Sequence, residues 1–160
     1  AWNVLLKLLD VHVPTFDEKS LNQISGRRNV FNSNGLTIID SSYNANLASM
    51  IESLKFLNKF TGPKTAILGD MLCIGSRSAR YHEMLACYLQ DMKLLCVGEQ
   101  MKLLAKKHKD AIWFESIAML IEHLKQTQLE GKLEGTALIK GSSDSHKSIN
   151  DLASVVEFFE

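Results

Sequence analysis

Four apolar segments of the chain end in turns whose residues could bind an anionic ligand. These turns are Asp40-Ser41-Ser42, Gly69-Asp70, Gly98-Glu99 and Lys140-Gly141-Ser142. Glycine and serine are small enough for a ligand to approach the backbone, and helix N-termini nearby attract negative charge. Each turn alone could be an ordinary loop, because glycine and serine are common in loops. If the segments are parallel strands, the turns share one edge of the sheet, and their convergence favours a nucleotide or a carboxylate ligand.

One of these turns continues through Ser42-Tyr43-Asn44-Ala45-Asn46 into a helical pattern that begins at Leu47. Asn46 is a good N-cap, because its side chain can accept hydrogen bonds from the free amides at the start of a helix. A strand-to-helix turn therefore explains the stretch without any ligand. A ligand site also explains it, since open α/β sheets bind ligands beyond the carboxyl ends of their strands.

The elements that would position these turns alternate between strand and helix. Short apolar runs predict strands at residues 29–32, 36–40, 65–68, 94–97, 111–114 and 136–140, and amphipathic spacing predicts helices at 47–60, 79–89, 101–108, 117–124 and 149–159. Asn34-Gly35 predicts a hairpin between the first two strands. Such alternation implies right-handed crossovers. We therefore predict an α/β fold, a Rossmann-like, mainly parallel sheet with helices on both faces and an N-terminal hairpin.

The beginning of the chain has a different, helical pattern. Residues 1–10 carry the apolar stripe of a helix end, which Pro14 stops. Residues 15–18 have the form of a capping box, and a second short helix follows and ends at Gly26. The chain opens on Ala1 rather than on Met and leads directly into apolar side chains. We therefore expect it to be part of a longer protein.

The composition indicates one soluble globular domain. The 160 residues are 46% apolar and 22% charged, with 18 basic and 18 acidic residues. This balance gives no support to bulk binding of nucleic acid or of an anionic membrane, and no apolar run approaches the roughly 20 residues that cross a bilayer. Cys73, Cys87 and Cys96 lack the spacing of a zinc site. Free thiols in a reducing compartment are the expected state, so we predict a cytoplasmic protein.

Other chemical groups in the sequence have simpler explanations. Neither Gly-x-Gly-x-x-Gly nor Gly-x-x-x-x-Gly-Lys-Ser/Thr is present, which disfavours a complete dehydrogenase or P-loop enzyme. The histidines show no metal-ligand spacing, so we predict no metal site. His82 lies in a helical pattern, where packing is a commoner role than ligand binding. Cys73 has no activating base nearby in sequence and is expected to be an inert thiol.

Four segments resemble the motifs of one known family. They are Gly26-Arg27, Ser42-Tyr43-Asn44-Ala45-Asn46, Leu68-Gly69-Asp70-Met71-Leu72 and Lys140-Gly141-Ser142. Their order and spacing resemble the C-terminal domain of the Mur ligases. Within that family they are most similar to the type that joins D-alanyl-D-alanine to UDP-N-acetylmuramoyl-tripeptide. The resemblance implies that residues 1–25 are the tail of a central ATPase domain and that residues 26–160 are the C-terminal domain.

The resemblance also implies a reaction in peptidoglycan precursor synthesis. ATP phosphorylates the peptide carboxylate of the UDP-linked tripeptide, and the amine of D-alanyl-D-alanine attacks the acyl phosphate to form the amide. Such a reaction needs its anions neutralised and its reactants held together away from water, which closure of a mobile third domain would provide. The implied cofactors are ATP and Mg²⁺, and the implied partners are the two substrates and the protein's own central and N-terminal domains. Because the P-loop and the magnesium ligands of the family are missing here, this part alone is expected to be inactive.

The resemblance assigns roles to three groups of residues. Arg27 would reach the ATP phosphates. The residues on the ribose and adenine side of the nucleotide would be Asp40, Ser41, Tyr43, Asn44 and Asn46. The residues on the side of the amino substrate would be Gly69, Asp70, Met71, Lys140, Gly141 and Ser142, with His82 on the helix behind the loop at residues 69–75.

Three positions depart from the family's pattern. Ser41 stands where a second aspartate, a ribose contact, is usual, and a hydroxyl makes a weaker hydrogen bond than a carboxylate. Cys73 replaces an acidic residue, and Ser143 replaces an arginine. These changes bear on nucleotide affinity and substrate detail rather than on the fold.

Two alternative functions stay open. One is a different amide ligase of the same superfamily, such as a folylpolyglutamate synthase, which the form of residues 43–46 disfavours. The other is a noncatalytic binding module that keeps the sheet but has lost the use of nucleotide, an idea that Ser41 favours.

Overall fold

The computed structural model of the chain describes residues 26–142 and 151–160. Within these ranges the strands are β1 (Asn29–Ser33), β2 (Leu36–Asp40), β3 (Lys64–Gly69), β4 (Lys93–Val97), β5 (Ala111–Phe114) and β6 (Thr136–Lys140), and the α-helices are α1 (Leu47–Leu57), α2 (Ser78–Met84), α3 (Met101–Ala105), α4 (Ile117–Leu129) and α5 (Ala153–Phe159). No helix in these ranges combines the length and apolar character needed to span a bilayer. The helices predicted in residues 1–25, the first residues of the helix predicted at 149–159, and Ser143 lie outside the described residues.

The strands form one sheet in the order β1-β2-β6-β3-β4-β5. β1 and β2 are antiparallel, and the other neighbouring pairs are parallel. Asn34 and Gly35 have φ angles of 48° and 82°, the backbone that a tight hairpin turn of matching twist requires. The predicted α/β fold, with a mainly parallel sheet and an N-terminal hairpin, is confirmed.

Helices cover both faces of the sheet. Because successive strand residues point to opposite faces, Ile39 and Leu68 pack in one core with α1 and α3, whereas Ile38 and Ile67 pack in a second core with α4 and α5. From β2 to β5 the chain moves along the sheet with its helices on the first face. It returns to β6 with α4 on the second face, as right-handed crossovers require.

The position of β6 creates a crevice at the carboxyl edge of the sheet. β6 lies between β2 and β3. The helices that follow β2 and β3 pack on the first face, whereas α5, the described helix after β6, packs on the second face. Such a switch point is where open α/β sheets bind ligands.

Three helices end earlier than their apolar spacing predicts. α1 ends at Leu57, α2 gives way to a 3₁₀ turn at Leu85–Tyr88, and α3 ends at Ala105. Residues beyond these ends still contribute to the core, among them Phe60 and Leu89. Hydrophobic spacing therefore continues after the helical backbone has stopped.

The three cysteines are free thiols. Cys73 and Cys87 are exposed, whereas Cys96 is buried in β4. Burial, with a smaller contribution from the negative charge of Asp70, raises the pKa of Cys96 to about 12. Its thiolate, which is the reactive form, is therefore disfavoured at neutral pH.

Candidate functional site

The turns that follow the strands meet at the carboxyl edge of the sheet. The Lys140 ammonium, at the end of β6, donates a hydrogen bond to the Asn44 carbonyl at 2.8 Å. The Ser142 N–H donates to the Asp70 carbonyl at 3.0 Å. The Asp70 carboxylate in turn accepts from the Met101 N–H, beyond the end of β4, at 2.9 Å. The predicted convergence of these turns is therefore found in the structure.

An open cleft of about 450 Å³ lies at this edge. Its lining residues are Gly26, Arg27, Arg28, Ser41, Tyr43, Asn44, Ser49, Ser53 and Lys140. Three of them, Arg27, Arg28 and Lys140, are cationic, and none of the lining residues carries a carboxylate. A cleft with this charge favours an anionic ligand.

Asp40, at the end of β2, connects the start of the described chain to the loop that follows this strand. Its carboxylate is 2% exposed. It accepts from the Gly26 N–H at 2.7 Å, from the Ser42 N–H at 3.0 Å and from the Ser42 hydroxyl at 2.7 Å. Both carboxylate oxygens are thus engaged with the protein, so the side chain fixes the shape of the cleft wall.

Gly26 lets the backbone next to Arg27 approach Tyr43 closely. The Tyr43 N–H donates to the Gly26 carbonyl at 3.1 Å. Gly26 has a φ of +78°, and a Cβ at this position would lie 2.6 Å from the Tyr43 nitrogen, so only glycine fits. The Arg27 guanidinium carbon lies 4.5 Å from the centre of the Tyr43 ring, a cation–π contact. Both side chains are exposed at the rim, where they can reach a ligand.

Lys140 is the most deeply buried cation of the cleft, with 4% of its surface exposed. Its ammonium donates to the carbonyls of Asn44 at 2.8 Å and Ser41 at 3.4 Å. Burial, with a smaller contribution from repulsion by Arg28, lowers the pKa of Lys140 to about 8, and attraction to Asp40 partly opposes the shift. The lysine predicted for the amino-substrate side therefore supports the loop predicted for the nucleotide side.

The Ser142 hydroxyl joins three of the turns. It accepts from the Leu72 N–H at 3.0 Å. Its own proton has two acceptors within reach, the Asn44 side-chain oxygen at 3.2 Å and the Ala45 carbonyl at 3.1 Å. The loop after β2, the loop after β3 and the turn after β6 thus share one hydroxyl group.

The loop after β3 is held by a hydrogen bond to His82, which lies on α2. This fully buried side chain accepts from the Met71 N–H at Nε2, at 2.9 Å, while its Nδ1 lies 2.8 Å from the Ser78 carbonyl. A carbonyl can only accept, so the proton of the neutral ring is on Nδ1. The Met71 side chain is itself in the core, at 2% exposure. His82 and Met71 therefore position the loop, and their predicted contact with substrate stays a prediction.

Gly69 and Gly141 allow the ends of β3 and β6 to lie side by side. A Cβ on Gly141 would lie 2.7 Å from Leu152 Cδ1 and 3.0 Å from the Gly69 Cα. A Cβ on Gly69 would lie 3.0 Å from the same methyl group of Leu152. Packing alone thus accounts for both glycines.

The side-chain oxygens of Asn46 and Asn44 accept hydrogen bonds from nearby backbone N–H groups. Asn46 caps α1: its side chain accepts from the Ser49 N–H, and the Ser49 hydroxyl lies within hydrogen-bond distance of the Asn46 backbone. The predicted N-cap is confirmed. The Asn44 side-chain oxygen accepts from the next residue, Ala45 N–H, at 2.7 Å. Their predicted contacts with nucleotide stay predictions.

Arg28, Ser49 and Ser53 also line the cleft, although none of them was predicted as a site residue. Arg28 has a φ of 58°, and its guanidinium carbon lies 5.2 Å from the centre of the Phe56 ring. Ser49 and Ser53 are four residues apart on α1, which places them on one face of the helix. Helical spacing counted from the Asn46 cap could have indicated the two serines.

The departures from the family's pattern lie at different depths. Ser41 is buried, at 5% exposure, and its N–H donates to the Ile139 carbonyl at 2.9 Å, which extends the pairing of β2 with β6. Cys73 is exposed and has a φ of 58°. A left-handed backbone at a residue other than glycine is uncommon, so the surrounding loop must hold it there.

A second, larger cleft of about 810 Å³ lies at the opposite edge of the sheet, next to the amino ends of β4 and β5. It is lined by Gln90, Asp91, Met92, Lys93, Lys107, His108, Lys109 and Asp110. No residue predicted for the site is among them. The residues predicted for the site therefore lie at the smaller cleft of the carboxyl edge, not at the larger one.

Comparisons with known proteins agree with this fold. A sequence model of the family described as Mur ligase, glutamate ligase domain, matches residues 26–143. The chain is 32% identical over 120 residues to the UDP-N-acetylmuramoyl-tripeptide–D-alanyl-D-alanine ligase of Buchnera aphidicola from Acyrthosiphon pisum, which covers 72% of this chain and 26% of that protein. It is also similar to the crystal structure of the MurF ligase of Thermotoga maritima in complex with ADP, with a TM-score of 0.72 and 25% identity, over 98% of this chain and 35% of that one.

A folylpolyglutamate synthase of Thermotoga maritima shares the fold with a TM-score of 0.58 and 16% identity, over 98% of this chain and 37% of that one. This alternative is thus less similar than the MurF structure in both fold and sequence. The chain spans 26% of the length of the Buchnera relative. The family match begins at Gly26 and includes the turns that meet at the carboxyl edge. The chain belongs to the Mur ligase family, by its glutamate ligase domain.

Proposed function

We propose that this chain is the C-terminal domain of an ATP-dependent amide ligase that joins D-alanyl-D-alanine to UDP-N-acetylmuramoyl-tripeptide. The observation that carries the proposal is one cleft that holds the cations Arg27, Arg28 and Lys140 beside the loop at residues 42–46. The names of the relatives support the substrates, and the Thermotoga MurF structure, which contains ADP, supports the nucleotide. Because the chain spans about a quarter of the Buchnera ligase, the rest of the active site belongs to central and N-terminal domains.

The groups at the cleft suit the phosphates of ATP. Arg27 and Arg28 are exposed, and a guanidinium pairs with phosphate oxygens through two parallel hydrogen bonds. Tyr43, half exposed beside Arg27, provides an aromatic surface on the ribose and adenine side. No group of three His, Cys, Asp or Glu residues in the described part of the chain could hold a metal ion. We assign the Mg²⁺ ligands to the central domain.

The loop after β3 and the turn after β6 form the amino-substrate side. Exposed Leu72 and half-buried Ser142 lie next to each other there, joined by the hydrogen bond between the Leu72 N–H and the Ser142 hydroxyl. Closure of this edge over the central domain would exclude water while the amine of D-alanyl-D-alanine attacks the activated carboxyl group. The product amide forms as inorganic phosphate leaves. The reaction belongs to peptidoglycan precursor synthesis, and we propose that it takes place in the cytoplasm.

Arg27→Ala in the full-length protein tests the proposal. Phosphate release from ATP is measured with UDP-N-acetylmuramoyl-tripeptide and D-alanyl-D-alanine. Loss of one positioned charge at a transferring phosphoryl group lowers turnover by about a hundredfold or more. Lys109→Ala is the control, because this lysine is at the opposite edge of the sheet and its side chain is 89% exposed. Near-normal ligation by the Arg27→Ala variant would refute the role of the cleft.

The same assay decides between the alternatives. Ligation of glutamate in preference to D-alanyl-D-alanine would identify the folylpolyglutamate type of ligase. Absence of any ATP-dependent ligation by the wild-type protein, together with the lack of a P-loop in the sequence upstream of Ala1, would identify a noncatalytic binding module.

A further inference from the structure

Lys140 differs from the other cations of the cleft in its depth and in its partners. It is 4% exposed, whereas Arg27 and Arg28 are exposed. None of the ion pairs that the described residues form includes Lys140. Its partners are backbone carbonyls, those of Asn44 at 2.8 Å and Ser41 at 3.4 Å. The Lys140 ammonium is therefore buried against carbonyl dipoles and has no carboxylate paired with it among the described residues.

The charged and titratable groups around Lys140 leave its ammonium short of negative charge. Arg27, Arg28 and Tyr43 line the cleft with it. Asp40, at the end of the neighbouring strand β2, attracts the ammonium, but both of its oxygens already accept hydrogen bonds from Gly26 and Ser42. The Asp70 carboxylate at the end of β3 accepts from backbone N–H groups at the start of α3. An anion in the cleft would supply the missing charge.

The two carbonyls that Lys140 holds belong to the loop predicted to meet the nucleotide. Lys140 is almost a hundred residues away from this loop in sequence, and β6 carries it there because β6 pairs with β2. Hydrogen bonds to charged donors are about twice as strong as those between neutral groups. The charged form of Lys140 therefore fixes the positions of Ser41 and Asn44 more firmly than the neutral form does.

We propose that Lys140 is a positioning residue that couples nucleotide binding to the shape of the Ser41–Asn44 loop: its ammonium holds the two carbonyls, and the phosphates of a bound nucleotide keep it charged. The inference rests on the proposed function, because it takes the ligand of the cleft to be a nucleotide. It also gives Lys140 a role on the nucleotide side of the site. Burial and Arg28 lower the pKa of Lys140 to about 8 without ligand, so a bound anion must raise that pKa and binding must take up a proton near this pH.

The first test is the affinity of the full-length protein for ADP, measured by isothermal titration calorimetry from about pH 7 to about pH 9.5. We expect the wild-type affinity to fall by about tenfold across this range, because deprotonation of Lys140 removes charge-assisted hydrogen bonds. Repeating the titration in buffers of different ionisation enthalpy measures the proton uptake. Lys140→Met should bind ADP about tenfold more weakly at pH 7 and should lose both the pH dependence above pH 8 and the proton uptake.

Lys93→Met is the matched control, because Lys93 is a half-buried lysine of the same sheet. It lies at the amino end of β4, on the edge of the sheet opposite the candidate site. It should retain the wild-type affinity and pH profile. If the Lys140→Met and wild-type proteins share one pH profile, the coupling is refuted.

The second test needs no nucleotide. Hydrogen exchange of the amides at residues 41–45 is compared at pH 7 in the wild-type, Lys140→Met and Lys93→Met proteins. Faster exchange of this loop in the Lys140→Met protein alone, with unchanged exchange in β4, is the expected result. Unchanged protection of the loop would refute the positioning role. If the wild-type protein binds no ADP at any pH but the loop still exchanges faster in the Lys140→Met protein, the proposed function and the coupling are refuted and only the support of the loop by Lys140 remains.

Discussion

Replacement of Asp40 by asparagine should loosen the wall of the cleft, because the buried carboxylate is its central hydrogen-bond acceptor. Asparagine keeps the shape of the side chain but exchanges one acceptor oxygen for an NH₂ group. If the remaining oxygen keeps the two contacts with Ser42, the NH₂ group faces the Gly26 N–H, which then has no acceptor. The opposite orientation leaves both donors of Ser42 without a partner.

The expected cost follows from these contacts. A buried N–H group without a partner costs about 1–3 kcal/mol, and the remaining bonds lose the strengthening that the negative charge provided. The sum is about 3 kcal/mol, which corresponds to a change of about a hundredfold in the equilibrium between closed and open forms. The loss should be concentrated in the hairpin of β1 and β2 and in the loop that follows, since these are the segments that Asp40 joins.

Hydrogen exchange of the full-length protein, followed by mass spectrometry, measures this effect locally. Peptides that cover residues 26–46 should lose about a hundredfold in protection in the Asp40→Asn protein. Asp110→Asn is the control, since that carboxylate is 62% exposed at the other edge of the sheet, and its protection should match the wild type. Equal protection in the two variants would refute the view that Asp40 holds the cleft wall.

Three further predictions concern packing, capping and pH. Gly141→Ala should lower the free energy of unfolding by about 1–3 kcal/mol in urea denaturation, because its Cβ would lie 2.7 Å from Leu152 Cδ1. Gly131→Ala is the control, because its Cβ would meet nothing within 4 Å. This variant should be destabilised only by the smaller cost of an alanine in the left-handed backbone at φ +63°. Asn46→Ala should cost about 1 kcal/mol in the same assay, since α1 loses its cap, and an unchanged stability would contradict the capping role. The pKa of Lys140 in the folded protein is about 8, below its ordinary value of 10.5. Between these two pH values the unfolded chain binds more protons than the folded one, so the free energy of unfolding of the wild type should rise with pH. The Lys140→Met protein should lack this rise, and parallel pH curves for the two proteins would contradict the assigned burial.

Periodicity in the sequence was sufficient to predict the layers of the fold. Strand residues such as Ile38 and Ile39 alternate between two cores, and both are apolar because helices cover both faces. Asn34-Gly35 and Asn46 act locally, so the hairpin and the cap of α1 could also be predicted. The order of the strands could not, because the insertion of β6 between β2 and β3 depends on contacts between distant segments.

The site shows the same division between local and distant causes. The four turns could be placed at one edge from the strand pattern alone. What their side chains do there depends on tertiary contacts: Asp70 accepts from the start of α3, His82 holds the Met71 N–H, and Lys140 holds the Asn44 carbonyl. Arg28 enters the cleft through a left-handed backbone that no sequence pattern indicates. Residue types therefore predicted where the candidate site lies, whereas the contacts that each side chain makes there depend on the tertiary structure.

We propose that the cleft between Arg27, Arg28 and Lys140 covers a nucleotide held by the rest of the full-length protein. The most direct measurement is hydrogen exchange of the full-length protein with and without saturating ADP. Bound ADP should slow exchange in peptides at residues 26–28, 41–46 and 140–142, and should cause no change at residues 90–93 and 107–110 beside the larger cleft. Bound ADP that protects the latter segments, or that leaves the former unprotected, would contradict it.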